Sequence, residues 1–81
     1  IVVGATTRDG RRASYSNYGP RVNLLAPGGD AGNVILSLGK DDVAGNGTYD
    51  YVGSAGTSMA SPHVAGVISL MKALKPSLTS A

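Results

Sequence analysis

The segment from Ser58 to about Leu74 constrains the fold of this chain more than any other part of the sequence. Its larger apolar side chains recur at helical spacing: Val64, Val67, Ile68, Met71 and Leu74. Small or apolar residues occupy much of the remaining circumference: Ala60, Ala65, Gly66 and Leu70. A helix that is apolar nearly all round is typical of the middle of a large core. A chain of 81 residues is too short to surround such a helix.

The residues at the start of this helix favour a reactive serine. Thr57 is predicted to be the N-cap residue, because its hydroxyl can accept a hydrogen bond from a first-turn N–H. Ser58 would then lie where unpaired N–H groups and the positive end of the helix dipole favour negative charge. Gly56 lacks a Cβ, which lets a substrate backbone approach closely. Pro62 removes an N–H from the first turns, and Pro76 is predicted to end the helix.

Four short strands are predicted before the helix. They are Ile1–Ala5, Val22–Ala26, Val34–Leu38 and Thr48–Val52. The first is a continuous apolar run, which is typical of a strand buried on both faces. The segment Gly39–Gly47 is rich in glycine and aspartate, which predicts a hairpin with a long loop between the last two strands. The sequence therefore predicts an α/β fold with a buried central helix and a β-hairpin.

A serine becomes a nucleophile only when a base removes its proton and a third group orients that base. The single histidine, His63, follows Ser58 by five positions. Five helical residues turn by about 140°, so the two side chains are expected to point to different sides. We therefore expect His63 to be a hydrogen-bonded core residue and not the base. The aspartates are predicted to lie in loops or turns, none of them paired with a histidine: Asp9, Asp30, Asp41, Asp42 and Asp50.

Charge and composition argue against several classes of function. The net charge is only +2, and the pair Arg11-Arg12 has no interleaved aromatic residues, which indicates a solvated loop and no nucleic-acid partner. No apolar run is long enough to span a bilayer, so no membrane partner is expected. The chain has no cysteine and therefore no disulfide. Residues 46–48 (NGT) form a glycosylation sequon that we interpret as ordinary loop sequence.

Four segments resemble one protein family. Residues 56–66 (GTSMASPHVAG) match, without a gap, the active-serine motif of the subtilases, the subtilisin-like serine peptidases. Residues 1–5 (IVVGA) resemble the family's buried strand, and residues 12–20 (RASYSNYGP) resemble its R-A-S-F/Y-S-x-x-G-P segment. Residues 23–28 (NLLAPG) resemble its D-x-x-A-P-G segment. The resemblance implies that residues 1–81 are the C-terminal portion of one subtilase catalytic domain, cut from a longer chain.

The resemblance also implies roles for individual residues. Ser58 matches the nucleophile, and its N–H matches one donor of the oxyanion hole. Tyr15 matches an aromatic residue on the leaving-group side of the cleft, while Ser54 and Ala55 match positions that border the scissile bond. The implied oxyanion- and substrate-binding set is Gly56, Thr57, Ser58, Tyr15, Ser54 and Ala55, with no metal ligand among them.

The triad of the family runs in the chain order Asp, His, Ser. The resemblance therefore implies that the acid, the base and the second oxyanion donor belong to an N-terminal remainder of the domain. It also implies a secreted enzyme that hydrolyses peptides or proteins through an acyl-enzyme without a cofactor. A structural calcium ion is an open question, because Arg21 and Asn23 stand where some subtilases have acidic ligands. The isolated chain is expected to be inactive and poorly folded.

Three other classes of protein share short features with this sequence. Ile1–Gly4 resembles the activated N-terminus of trypsin-like peptidases, but the Gly-Asp-Ser-Gly-Gly motif of that class is missing. The G-x-S-x-G elbow of the α/β-hydrolases needs a glycine where Ala60 stands. The third alternative is a non-catalytic pseudo-enzyme or assembly fragment that keeps only the fold, since Gly-Thr-Ser-Met-Ala also suits a capped helix without chemistry.

Overall fold

The computed structural model describes residues 1–40 and 49–79. The elements in chain order are β1 (Val3–Thr6), β2 (Leu24–Pro27), β3 (Ile35–Lys40), β4 (Tyr49–Ser54) and α1 (Thr57–Leu74). Each predicted element is present, with its ends displaced by no more than two residues. Gly39, predicted to begin the loop, belongs to β3, whereas residues 41–48, including the sequon, lie outside the described residues. The α/β class is confirmed.

Strands β1 and β2 form a parallel pair, in register from Val3 opposite Leu24 to Thr6 opposite Pro27. The middle of β1 is buried, and its two ends are half-buried. Pro27 belongs to β2, although the sequence indicated that the strand stops before it. A proline is tolerated there because it is the last residue of the strand, where a missing N–H costs little pairing.

Strands β3 and β4 form the predicted antiparallel hairpin, in register from Ile35 opposite Ser54 to Lys40 opposite Tyr49. Side chains alternate between the two faces of such a pair. Leu36, Leu38 and Tyr51 are all exposed. Part of the apolar surface of the hairpin is therefore uncovered within this chain.

Helix α1 packs against β1 and β2 through small side chains. The buried core consists of Ala5, Ala13, Ala26, Ala60 and Val64, with Val3 and Ile68 packed against it. The other large apolar side chains of the helix are exposed: Val67, Leu70, Met71 and Leu74. The helix therefore covers the parallel pair with one face and leaves the rest of its apolar circumference open.

The two ends of α1 are defined by backbone groups. The predicted N-cap at Thr57 is wrong: Gly56 is the N-cap, Thr57 is the first helical residue, and no side chain caps the helix. At the other end, the N–H of Lys75 donates to the carbonyl of Met71, and Pro76 follows directly. Among the described residues, no helix combines the length and the hydropathy needed to cross a membrane.

Candidate active site

A turn at Gly28-Gly29 joins the two parallel strands to the start of α1. Both glycine N–H groups donate to the carbonyl of Thr6, at 3.0 and 3.3 Å. The carbonyl of Gly28 in turn accepts the N–H of Gly56 at 2.9 Å. The start of α1 therefore lies at the carboxyl ends of β1 and β2, the position at which α/β folds bind their ligands.

This junction leaves no room for side chains. A Cβ on Gly28 would lie 2.6 Å from the Cβ of Ala5, 2.7 Å from the hydroxyl of Tyr15 and 2.8 Å from the carbonyl oxygen of Gly56. Gly56 has a φ of +154° and a ψ of 170°, a region that is essentially restricted to glycine. Close approach at Gly28 and backbone conformation at Gly56 therefore both require glycine.

Ser58 is the second residue of α1, and its side chain is exposed. The amides of Met59 and Ala60 both donate to the carbonyl of Gly56, at 3.0 and 3.3 Å. Within the described residues, the amides of Thr57 and Ser58 have no hydrogen-bond partner. The first turn also has no acidic side chain to neutralise the positive end of the dipole. An anion beside Ser58 would thus meet free N–H donors and a favourable dipole.

The Ser58 side chain lines a cavity of about 350 Å³ between the first two turns of α1 and strand β3. The other residues lining it are Ile35, Leu36, Ser37, Met59, Pro62 and His63. The cavity is wide enough to reach both Ser58 and His63, although their side chains were expected to point to different sides. No hydrogen bond between the described atoms joins the Ser58 hydroxyl to the His63 ring.

His63 is hydrogen-bonded, as predicted, but not packed in the core. Its Nδ1 lies 2.8 Å from the carbonyl oxygen of Met59, which can only accept, so Nδ1 carries a proton. The expectation of core packing is wrong for this chain, because the ring lies on the side of α1 that faces the open cavity. A ring that carries its proton on Nδ1 has Nε2 available as an acceptor. What speaks against His63 as the partner of Ser58 is that no hydrogen bond between described atoms joins the two side chains.

The predicted substrate residues fall into two groups. Gly56, Thr57 and Ser58 are contiguous at the start of α1. Tyr15 and Ala55 are brought together by the fold, since both line a second cavity of about 550 Å³. Ser54 is the exposed last residue of β4, opposite Ile35 of the cavity that contains Ser58.

Two contacts of the junction were not anticipated from the sequence. The Tyr15 hydroxyl donates to the carbonyl of Gly29 at 2.7 Å. The Gly28 carbonyl accepts the N–H of Gly56, which is the N-cap residue of α1. The only local signal was Pro27-Gly28-Gly29, which indicated the end of a strand and gave no information on its distant partners.

The described carboxylates do not complete a triad within this chain. Asp9 pairs with Arg11 at 3.5 Å on the surface. One oxygen of Asp30 accepts the N–H groups of Gly32 and Asn33, both at 2.9 Å. These bonds are local to their turns, so neither aspartate orients the ring of His63. Asp41 and Asp42, and the side chain of Asp50, lie outside the described residues.

Residues 20–23, where some subtilases have acidic cation ligands, contain no carboxylate. The side-chain oxygen of Asn23 accepts the N–H of Val2 at 2.7 Å, and Arg21 adds a positive charge nearby. Across residues 1–40 and 49–79, no group of three or more His, Cys, Asp or Glu side chains could hold a metal ion.

Similarity to known proteins identifies the family. The model of the subtilase family matches residues 1–81. The chain belongs to the subtilase family. Curated relatives include an extracellular protease of Xanthomonas campestris, 45% identical over 94% of this chain, and an extracellular basic protease of Dichelobacter nodosus, 52% identical over 88%. A thermostable alkaline protease of Halalkalibacterium halodurans is 42% identical over 99% of the chain.

This subtilase chain spans only 12%, 11% and 19% of the length of those three relatives. No solved structure gives a significant match to it.

Proposed function

We propose that this chain supplies the nucleophile of a secreted, subtilisin-type serine endopeptidase. Ser58 attacks the peptide carbonyl and forms an acyl-enzyme, which water then hydrolyses. The observation that carries the proposal is an exposed serine at the second position of α1, with an amide that has no partner among the described residues. Membership of a family whose relatives are named proteases supports it.

The N–H of Ser58 is one donor to the oxyanion of the tetrahedral intermediate. It lies in the first turn of α1, where the dipole adds to its effect. Gly56 has no side chain that would obstruct the substrate beside Ser58. The N–H of Thr57 is also free and adds to the positive end of the helix dipole. On the substrate side, Tyr15 lines the leaving-group side of the cleft, and Ser54 and Ala55 border the scissile bond.

The base, the acid that orients it and the second oxyanion donor come from an N-terminal remainder of the catalytic domain. In support of this, no hydrogen bond between described atoms joins His63 to Ser58, and Asp9 and Asp30 bond within their own turns. Residues 1–81 are then the C-terminal portion of one domain. The isolated chain is inactive, its partner is that remainder, and its substrates are peptides or proteins, with no role for nucleic acid, membrane or catalytic cofactor.

A second candidate function is a pseudo-enzyme or assembly fragment that keeps the fold without the chemistry. One observation favours it: the hydroxyl of Ser58 has no basic partner among the described residues.

A fluorophosphonate probe separates the two functions. The isolated chain is expected to remain unlabelled, and adding the N-terminal remainder of the domain should produce labelling at Ser58. Ser58→Ala should abolish labelling and lower peptide hydrolysis on the order of 10⁶-fold, as loss of a catalytic serine does. Ser61→Ala is the matched control, because Ser61 is exposed one turn further along the same helix.

Labelling of Ser58 in the isolated chain would contradict the need for the remainder. Absence of labelling in the assembled domain would favour the pseudo-enzyme.

A further inference from the structure

We propose that the hydroxyl of Tyr15 is a positioning group for the nucleophile, a role separate from any contact of its ring with substrate. The proposal rests on the proposed function, because it concerns the serine that the proposed peptidase uses.

The Tyr15 hydroxyl is bonded directly to the turn that follows β2. The Tyr15 hydroxyl donates to the carbonyl oxygen of Gly29 at 2.7 Å, and this hydrogen bond is partly buried. Gly29 is buried and has a φ of +80°, the left-handed conformation that turns the chain away from β2. The hydroxyl is therefore bonded to the residue that sets the direction of the turn.

The turn at Gly28-Gly29 is connected by hydrogen bonds to the start of α1. The neighbouring carbonyl, that of Gly28, accepts the N–H of Gly56, and Gly56 is the N-cap of α1. The carbonyl of Gly56 then accepts the amides of Met59 and Ala60. Ser58 lies between the cap and these two donors, so a displacement of the turn moves the serine and its free amide.

Hydrogen bonds on two sides limit movement of the turn. On one side, the N–H groups of Gly28 and Gly29 hold it to the carbonyl of Thr6 at the end of β1. On the other side, the bond from Tyr15 fixes the Gly29 carbonyl. Without that bond the Gly29 carbonyl, which is in a partly buried position, has no donor among the described residues, and the turn is free to shift.

The chain supplies a matched pair of tyrosines for a test. Tyr15→Phe removes the hydroxyl and keeps the ring that lies beside Ala55. Tyr18→Phe removes a hydroxyl that has no bond among the described residues and keeps the ring, over which the Arg12 guanidinium lies at 4.7 Å. Both variants are measured in the complete catalytic domain.

In Tyr15→Phe, kcat is expected to fall about three- to tenfold, the equivalent of one lost hydrogen bond, with KM unchanged. The fall should be equal for a peptide nitroanilide and for a peptide that extends beyond the scissile bond, because the nucleophile is common to both. Tyr18→Phe should leave kcat unchanged. A rise in KM, or a loss confined to the extended peptide, would instead indicate direct substrate contact by the hydroxyl and overturn the proposal. A lower Tm of Tyr15→Phe with unchanged kcat would also overturn the proposal.

Hydrogen–deuterium exchange over residues 53–60 tests for displacement of the start of α1 and does not require an active enzyme. Tyr15→Phe should speed exchange of these amides relative to the wild-type protein and to Tyr18→Phe. Equal exchange in all three proteins would overturn the positioning role. The exchange result stands even where a fluorophosphonate fails to label Ser58, so failure of the proposed function is recognised separately.

Discussion

Gly28 is the residue around which the candidate site is built. Its backbone bonds to Thr6 on one side and to Gly56 on the other, while Tyr15 closes the third side. The space at its Cα is bounded by the Cβ of a buried alanine and by a backbone oxygen, neither of which can rotate away. A side chain here must therefore push the strand and the helix apart.

Gly28→Ala is expected to lower the free energy of unfolding of the complete domain by about 1–3 kcal/mol, the usual cost of overpacking. It should also lower kcat, because the displaced oxygen of Gly56 belongs to the helix cap. Gly32→Ala is the control, since a Cβ there meets nothing closer than an aspartate oxygen at 3.7 Å. Chemical denaturation and steady-state kinetics measure both effects, and equal stability of the two variants would contradict the expectation.

Individual residues differ in how far the sequence could predict them. The position of Ser58 beside free first-turn amides follows from the helical pattern and the glycine before it, and the structure agrees even though Gly56 replaces Thr57 as the cap. The setting of His63 depends on how much of α1 is covered, which local sequence does not encode. The bond from Tyr15 to Gly29 joins residues that only the tertiary fold brings together.

At the scale of elements, α1 has two kinds of apolar residue. Val64 is 9% exposed and packs in the core, whereas Val67, less than one turn further on, is 56% exposed. If the rest of a catalytic domain covers the open side, both valines become buried there.

In the complete domain, Val64→Ala and Val67→Ala should therefore each lower the free energy of unfolding by about 1–3 kcal/mol. Thermal or chemical denaturation measures both. Lys72→Ala in the same helix is the control and should have a small effect, because a lysine side chain keeps its charged end in water. If Val67→Ala had a negligible effect on the free energy of unfolding while Val64→Ala had the full effect, the exposed face of α1 would remain uncovered in the complete domain.

The elements also differ in predictability. The hairpin follows from two β-rich runs with a glycine-rich segment between them, and its antiparallel pairing needs only local contacts. The pairing of β1 with β2 is different, because residues 7–23 separate the strands and no local pattern sets the parallel register. The choice of one face of α1 for the core is likewise a property of the assembled fold.

At the scale of the whole molecule, the chain buries little. Its accessible surface is 6169 Å², where a compact monomer of this mass would expose about 4,500 Å². Its radius of gyration is 15.0 Å, against about 12 Å for a compact domain of the same length. Among the described residues, four alanines and one valine form the core, so the hydrophobic stabilisation that they supply is small.

The isolated chain is therefore expected to unfold without a cooperative transition and to lack a native-like near-ultraviolet dichroism signal. Thermal scans of the chain alone and after addition of the N-terminal remainder measure this, with the remainder alone as the control. A cooperative transition of the chain alone, with native-like near-ultraviolet dichroism, would contradict the expectation.

The small core has a consequence for the order of events during synthesis. Ala5 and Ala60 share one core although they are 55 positions apart in the chain. Strand β1 leaves the ribosome before α1, and contacts between such distant segments form slowly. Ser58 is therefore expected to acquire its ordered surroundings only after α1 has been made, so a growing chain that ends before α1 presents no organised nucleophile to its neighbours.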